Sequence, residues 1–441
     1  MVVIFYGSFN KSFLYTILLF FIPLSISIKI LGDFEMQIPS EPIIALLVIL
    51  FIFSFKNSKA DLKKLIESPI TKIICLEIIW SVICSIFSEL PQVSFKYTVV
   101  RICYVVAFYI LTIYWVEKYK KPLYFFIIYA IGFIIPIVNG LKFHALYNFS
   151  QKVSFPMPQP FFSDHTVYGA CLAFLIPILL GAIILFVKFN KNWWSIAFLF
   201  LLLLLFLLAE YFSFSRASWL SLAMAFFLFL LLKMGLTSRI FLIGIFSLVM
   251  LAWINQDRLI AKMNESKSLS NIDDLKQQIT SITNIQTDAS NTERINRWKC
   301  AIRMGFEKPV FGFGPRTYKF IYANYQARED LSYISTYNGD KGNAHSEYLS
   351  YFAECGIVGA IIHLLFFLIP LLFGIDLVKK CKHPKNKILA TSLLLGFFTY
   401  SIHGLFNGFM EEEKMSSLVF ISIAALYAIG ELEKRDLEVT I

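Results

Sequence analysis

The stretch from Trp193 to Lys233 reads WWSIAFLFLLLLLFLLAEYFSFSRASWLSLAMAFFLFLLLK. Two apolar runs, Trp193 to Leu208 and Phe226 to Leu232, flank one short polar turn that holds Glu210 and Arg216. A run of about 20 apolar residues crosses a hydrocarbon core of about 30 Å. The pattern extends to the whole chain of 441 residues, which is 57% hydrophobic and only 16% charged, against about 25% charged in ordinary soluble domains. A soluble globule is excluded, and the expected fold class is an all-α, polytopic integral membrane protein. The formal charge of +10 then serves topology before it serves any partner, because Lys and Arg hold loops on the cytoplasmic side. Nucleic acid is not an expected partner; the lipid bilayer is.

Working outward, apolar segments fall near 13–31, 38–55, 69–88, 97–116, 122–141, 166–187, 193–212, 217–233, 238–254, 346–375, 388–407 and 415–430, about twelve spans in all. The first carries no small-residue cleavage site and reads as a retained span, not a signal peptide. Basic residues mark alternate loops. Lys56, Lys59, Lys63 and Lys64 follow the second span, Lys118, Lys120 and Lys121 the fourth, Lys188 and Lys191 the sixth, and Lys379 to Lys387 the tenth, with Lys233 and Arg239 around the turn between the eighth and ninth. That face, with both termini, is therefore expected to be cytoplasmic. The organisation is spans one to nine over 1–254, one large outer loop over 255–344, spans ten to twelve over 345–431, and a cytoplasmic tail over 432–441.

The outer face then collects the loop after the fifth span (Lys142 to His165), the turn Glu210 to Arg216, the long loop and the turn Asn407 to Lys414. A loop of about 90 residues is functional or disordered more often than a mere connection. Ser290 and Glu293 read as a capping box for a helix on which Ile295, Trp298, Ile302 and Phe306 recur, with Arg294, Arg297 and Arg303 on the remaining face and Pro309 at its end. The Ser/Thr/Asn/Asp-rich stretch Asn264 to Asn291 is expected to be flexible.

Seven cysteines form neither a disulfide framework nor a paired metal motif, and no HExxH, Walker loop or outer Asp pair is present. A reaction without metal or nucleotide is the simpler expectation. Arg216, in Ser215-Arg216-Ala217-Ser218, is either a snorkelling interfacial Arg or a guanidinium facing an anionic headgroup, whose phosphate oxygens its planar fork matches. Arg316 follows the Gly/Pro turn Pro309 to Pro315. His345 is either a helix cap or a base at the mouth of the tenth span, where a helical face would carry Leu349, Phe352, Gly356 and Gly359. His165 and Asp164 open an outward-facing span and are accessory candidates. Glu210 sits near the end of an apolar span, where an ionisable group is a functional candidate, and it is also the obvious ion-pair partner for Arg216.

Three elements together resemble a known family. Asn343-Ala344-His345-Ser346, followed after nine residues by Gly356-Ile357-Val358-Gly359, matches the His-[Asn/Ser/Gln]-x9-Gly-x-x-[Gly/Thr/Tyr] signature of the O-antigen ligase family, with Ser346 in place of the commoner Asn. Ser215-Arg216-Ala217-Ser218-Trp219-Leu220 resembles its Ser-Arg span, and Arg297-Trp298 through Pro309-Val310-Phe311-Gly312-Phe313-Gly314 its Arg-Trp and Pro-Gly-x-Gly stretch. The resemblance implies a GT-C-like, metal-independent transferase of about twelve helices with one large periplasmic loop in a bacterial inner membrane. It implies a glycan donor on undecaprenyl diphosphate, a lipid A core acceptor and no cofactor. The family's essential arginines and histidine fall on Arg216, on Arg297 or Arg316, and on His345, as diphosphate-binding groups and general base. O-antigen polymerases and protein O-oligosaccharyltransferases share these motifs loosely, and a transporter or flippase is the alternative from another class.

Overall fold

The computed structural model describes residues 11–31, 34–54, 65–255, 285–331, 335–336, 338–339 and 342–440. Among them, eight helices are long and apolar enough to cross a membrane, and three shorter apolar helices accompany them. In chain order the elements are α1 (Lys11–Phe21), β1 (Ile26–Leu31), β2 (Phe34–Ile38), α2 (Ser40–Ser54) and α3 (Pro69–Ile86). Next come α4 (Pro91–Tyr119) and α5 (Pro122–Leu146), α4 passing through a π-helical turn at Val105–Ile110. They are followed by α6 (His165–Leu185), α7 (Trp193–Ser213), α8 (Arg216–Lys233), α9 (Ser238–Ile254), α10 (Ile285–Glu307), α11 (Glu347–Lys380), α12 (Pro384–His403) and α13 (Glu413–Lys434). The twelve apolar segments expected from sequence all correspond to helices, and α10 is the helix of the large loop.

Two local expectations are corrected. The first apolar segment does not continue to residue 31 as a helix: after the turn Ile22–Leu24 it becomes β1, which pairs antiparallel with β2, Ile28 opposite Met36. The cause is local, since Pro23 sits at the turn's start and Ile26-Ser27-Ile28-Lys29 alternates with β-branched residues, a strand pattern. The loop helix α10 begins at Ile285, so Ser290 lies inside it and is not its cap. The expected flexible stretch falls outside the described residues up to 284.

The last helix, α13, is buried from Glu413 to Leu432 and packs against α4, α6 and α12. Its Ser416, Ser417, Ser422 and Gly430 are small, which lets neighbouring backbones approach where dispersion, not water exclusion, holds helices together. The outer helices face the other way. Leu201 on α7 and Phe226 on α8 are each 64% exposed, an arrangement tolerable only against lipid tails.

α11 is broken at Gly356, where φ is 69° and ψ is −171°. The segment Pro309 to Gly314 fills the break: Phe313 N donates to the Ala353 carbonyl (3.1 Å), Gly314 N to that of Glu354 (2.8 Å), and Ile357 N to that of Pro309 (2.8 Å). A Cβ on Gly356 would stand 2.3 Å from the Val310 carbonyl oxygen. The backbone groups freed by the break are thus satisfied by the loop, as burial requires. The two glycine motifs are the two halves of one joint.

α10 is an amphipathic helix whose apolar stripe faces outward. Its buried side carries Asn296, Arg297, Cys300, Ala301 and Met304, whereas Ile302 is 38% and Phe306 70% exposed. Phe306 packs edge-on to Phe352 of α11 (5.5 Å) and stands with exposed Val310 and Ile357. Exposed apolar side chains thus continue from α10 onto the start of α11.

Candidate functional site at the outer ends of the helices

Helices α6, α8, α11 and α13 all begin at one end of the bundle, and the site residues sit at these starts. Asp164 caps α6, its Oδ1 accepting from Thr166 N (2.6 Å) and Val167 N (3.2 Å). His165 is the first residue of α6, with a buried Nδ1 that has no partner among the described residues. Ser215 precedes α8 and Arg216 opens it; Ser213, Ser215 and Ser218 form a hydroxyl chain in which Ser218 Oγ donates to Ser215 Oγ (2.7 Å) and Ser213 Oγ accepts from Ser215 N (3.1 Å). Arg216 itself is exposed and makes no ion pair with any described residue. The expected pair with Glu210 is absent. Glu210 points into the bundle, 3% exposed, with both carboxylate oxygens unpartnered among the described residues.

His345 is not on the face of α11, contrary to the helical reading. Ser346 is the N-cap, its Oγ accepting from Leu349 N (3.4 Å), and His345 lies before it with φ of 49°. A non-glycine residue held at such a φ costs roughly 1–3 kcal/mol, and positions of this kind gather at functional sites. Phe214 (49°) and Arg316 (66°) share the conformation. The neighbours over-determine the His345 turn: Asn343 Oδ1 accepts from His345 N (3.0 Å) and Trp298 Nε1 donates to the His345 carbonyl (3.0 Å). The ring faces Arg297, Arg294 and Asp164.

The two loop arginines nearest His345 differ. Arg297 is 3% exposed; its Nε donates to Glu293 Oε1 (2.8 Å), its Nη1 to the Asn343 carbonyl (3.2 Å), and its guanidinium lies over the Tyr322 ring at 4.4 Å. It holds the turn that presents His345. Arg294 faces Arg216 and Asp164, and its buried Nε has no partner among the described residues. Burial, with Arg216 beside it, pushes Arg294 below the ordinary guanidinium value, opposed by Asp164. The same physics acts on His345, which burial, Arg297 and Arg294 push down to about 4. Its imidazole is neutral at physiological pH and keeps a lone pair.

Arg316 belongs to a different neighbourhood. It is paired with Glu411 and surrounded by Glu354, Tyr97, Glu412 and Glu347, while burial lowers it. Glu412 is held up near 7 by burial and by Asp164, against Lys414, and its Oε1 accepts from Ser163 Oγ (3.1 Å). The structure therefore groups Arg216, Arg294, Arg297, Asp164 and His345, and sets Arg316 with the acidic run. Sequence reasoning placed Arg294 on the right helix without assigning it to the site.

Charge at this centre is unbalanced. Two guanidiniums, Arg297 and Arg294, face one neutral imidazole and a third, Arg216, stands beside Arg294, with Glu293 committed to Arg297 and Asp164 committed in part to its own helix cap. Such a constellation favours a polyanion with oxygens for guanidinium forks, at the wall of a bundle whose outer helices face lipid.

Residues 201–364 match the family model for O-antigen ligase. The match runs from within α7 through the loop into α11, and so contains Arg216, Arg294, Arg297, Arg316 and His345 but not Asp164. No curated protein matches the chain.

Proposed function

Because residues 201–364 make the chain a member of the O-antigen ligase family, we propose that it transfers a glycan from undecaprenyl diphosphate to a sugar of the lipid A core on the periplasmic face of the inner membrane. The family's members are glycosyltransferase-like ligases, and the chain is a multi-pass membrane protein whose family match supports activity of the ligase and polymerase type on lipid-linked glycans. The observation that carries the finer reading is that Arg294 and Arg297 face neutral His345 while Arg216, at the head of lipid-facing α8, stands beside Arg294.

In this reading the diphosphate of the donor binds Arg216 and Arg294, whose forks are uncommitted, while Arg297 adds charge and holds the His345 turn. Arg316 orders the neighbouring acidic loop. The polyprenyl chain lies along the exposed apolar faces of α7 and α8. The acceptor hydroxyl gives its proton to the free ring nitrogen of His345 as its oxygen bonds to the anomeric carbon. The bond from that carbon to the diphosphate oxygen breaks on the opposite side, so the configuration inverts. Guanidiniums neutralise the leaving diphosphate, which supplies the electrostatic stabilisation without a metal ion. Donor binding also strengthens the base, since phosphate charge offsets the arginines that hold His345 low.

The test is transfer by the purified full-length protein in detergent, with undecaprenyl-diphosphate glycan, rough lipopolysaccharide and EDTA. A ladder on lipid A core that survives EDTA and disappears in Arg216→Ala and His345→Ala supports the proposal. Lengthened glycan on the carrier moves the assignment to a polymerase, and glycan on protein Ser/Thr to a protein oligosaccharyltransferase. A donor left untouched with every acceptor reopens transport.

A further inference from the structure

The turn between α12 and α13 docks on the chain at the start of α11, at points on both sides of His345. Two residues after it, Glu347, 2% exposed, accepts at Oε1 from Phe409 N (2.6 Å) and Met410 N (2.7 Å), while its own backbone N donates to the Gly404 carbonyl (2.8 Å). Two residues before it, Asn343 Nδ2 donates to the Gly408 carbonyl (2.9 Å). The turn is itself fixed in the bundle, because Arg101 Nη1 (3.3 Å) and Ser416 Oγ (2.6 Å) both donate to the Met410 carbonyl. Further along, Glu412 accepts from Ser163 Oγ (3.1 Å), one residue before Asp164. His345 is thus bracketed by contacts to a template tied to α4, α13 and the approach to α6.

Asn343 has a second arm. Its Oδ1 accepts from His345 N (3.0 Å), two residues on, which closes an Asx turn. That turn accompanies the φ of 49° at His345, and a single hydrogen bond offsets such backbone strain only in part. The contact with Gly408 supplies what the Asx turn lacks, a fixed point outside the strained segment. An amide carries a donor and an acceptor at once, whereas an ionised carboxylate only accepts and an alkyl group does neither. The backbone of Asn343 makes a third contact, its carbonyl accepting from Arg297 Nη1 (3.2 Å). A change of side chain leaves the partners of this last bond in place.

We propose that Asn343 is a positioning residue of the reaction: its two amide arms set the His345 backbone against the α12–α13 turn, so that the ring meets the acceptor hydroxyl in one orientation. This rests on the assignment of His345 as the base. The two arms can be removed separately. Asn343→Asp keeps an oxygen that accepts from His345 N and loses the hydrogen given to Gly408, and Asn343→Ala loses both. Neither substitution removes a guanidinium that faces the donor, so a positioning role is read in kcat and a donor-binding role in KM.

The experiment compares full-length wild type with Asn343→Ala, Asn343→Asp and His345→Ala in the same transfer assay, measuring kcat and KM for the donor per folded molecule, with thermal unfolding in detergent alongside. Asn343→Ala is expected to lower kcat by about 100-fold with KM changed less than about 2-fold, the size expected when a catalytic group is misplaced by about 1 Å. Asn343→Asp is expected to lie between, about 10-fold below wild type, the effect of one lost hydrogen bond. Wild-type kcat in Asn343→Ala overturns the proposal, as does a loss confined to KM or to the folded fraction. Equal kcat in the two variants overturns it too, since Oδ1 would then contribute nothing, and wild-type kcat in Asn343→Asp removes the link to Gly408. Full activity in His345→Ala overturns the base assignment and this inference together. An inactive His345→Ala beside a fully active Asn343→Ala overturns only the latter. If Asn343→Ala fails to fold, Asn343→Asp decides: a lower kcat at unchanged KM supports the proposal and a wild-type kcat refutes it.

Discussion

Two groups of arginine lie in this molecule, and they are built on opposite rules. At membrane depth Arg101 gives Nη2 to both oxygens of Glu77 (2.9 and 3.1 Å), lies over the rings of Phe366 (5.4 Å) and Phe420 (4.7 Å), and shares Glu77 with Tyr351 (3.0 Å) and His363 (3.0 Å). Its charge is matched. At the outer end, neither Arg216 nor Arg294 makes an ion pair with a described residue, and only Arg297 has a carboxylate of its own; an unpartnered buried Nε is common to Arg101 and Arg294 and does not separate the groups. Matched charge buried in a bundle holds helices in place; unmatched charge assembled at its rim costs stability until an anion arrives. The first group serves the fold; the second is the one proposed above to bind the donor.

The comparison breaks if substitutions do not separate along that line. Arg101→Ala leaves Glu77 buried without its counter-charge, which costs about 3–5 kcal/mol for a pair of this kind. The expected outcome is a large fall in thermal stability in detergent, or failure to accumulate, with activity lost only as folded protein is lost. Arg216→Ala is expected to do the reverse: transfer falls by about 100- to 1,000-fold, the range for removing one donor to a developing anion, while the unfolding temperature moves little. A destabilised Arg216→Ala or a stable Arg101→Ala would each erase the distinction.

A third substitution probes the joint between loop and bundle. Gly356→Ala forces a Cβ against the Val310 carbonyl and a side chain into φ of 69°. A loss of roughly 1–3 kcal/mol is expected from the backbone alone, with protease sensitivity rising first between Pro309 and Gly314. Unchanged proteolysis there would show that the loop does not depend on the broken helix.

Much of this architecture was legible because its signals are local. Among the described residues, apolar runs located α1 to α9 and α11 to α13, eight of them long and apolar enough to cross a membrane, since a membrane span must satisfy its backbone within itself. The signals that failed were weaker local competitors. The alternation Ile26-Ser27-Ile28-Lys29 defeated the helix expected to reach residue 31, and the positive φ of His345 placed it ahead of the helix whose face it was expected to join. At the site, Arg216 and His345 were visible from motifs. Arg294 was visible only as a helix face, because its value comes from standing across from Arg216, and Asn343 stood in a motif without a role until the turn after α12 was seen docked on it. Pairings of that separation leave no trace in spacing. Periodicity marked an apolar stripe on α10 without saying what covers it, and Ile302 and Phe306 stand exposed.

The smallest expected effect is also the most specific to unmatched charge. His345 is held down to about 4, first by burial and then by Arg297 and Arg294. A histidine whose folded value lies below its unfolded one near 6.5 is protonated first in the unfolded chain, so its contribution to stability is greatest above about 6.5 and falls as pH drops toward 4. For catalysis the sign is parallel: kcat/KM, which reports the free enzyme, is expected to lose the base only as pH falls through about 4. In the donor complex the diphosphate faces the same arginines, so the acid limb of kcat should sit at higher pH than that of kcat/KM. Arg294→Ala removes one of the repelling charges and should raise the kcat/KM limb, by about 1 unit or less, while narrowing its distance from the kcat limb, because less of the repulsion is left for the donor to relieve. Glu412 titrates nearby, held up near 7, and Glu412→Gln separates its contribution by removing any limb near 7 while leaving the one near 4. Coincident kcat and kcat/KM limbs in the wild type, unmoved in Arg294→Ala, would mean that the arginines around His345 are not electrostatically available to the donor, and the outer group would then be structural like the inner one.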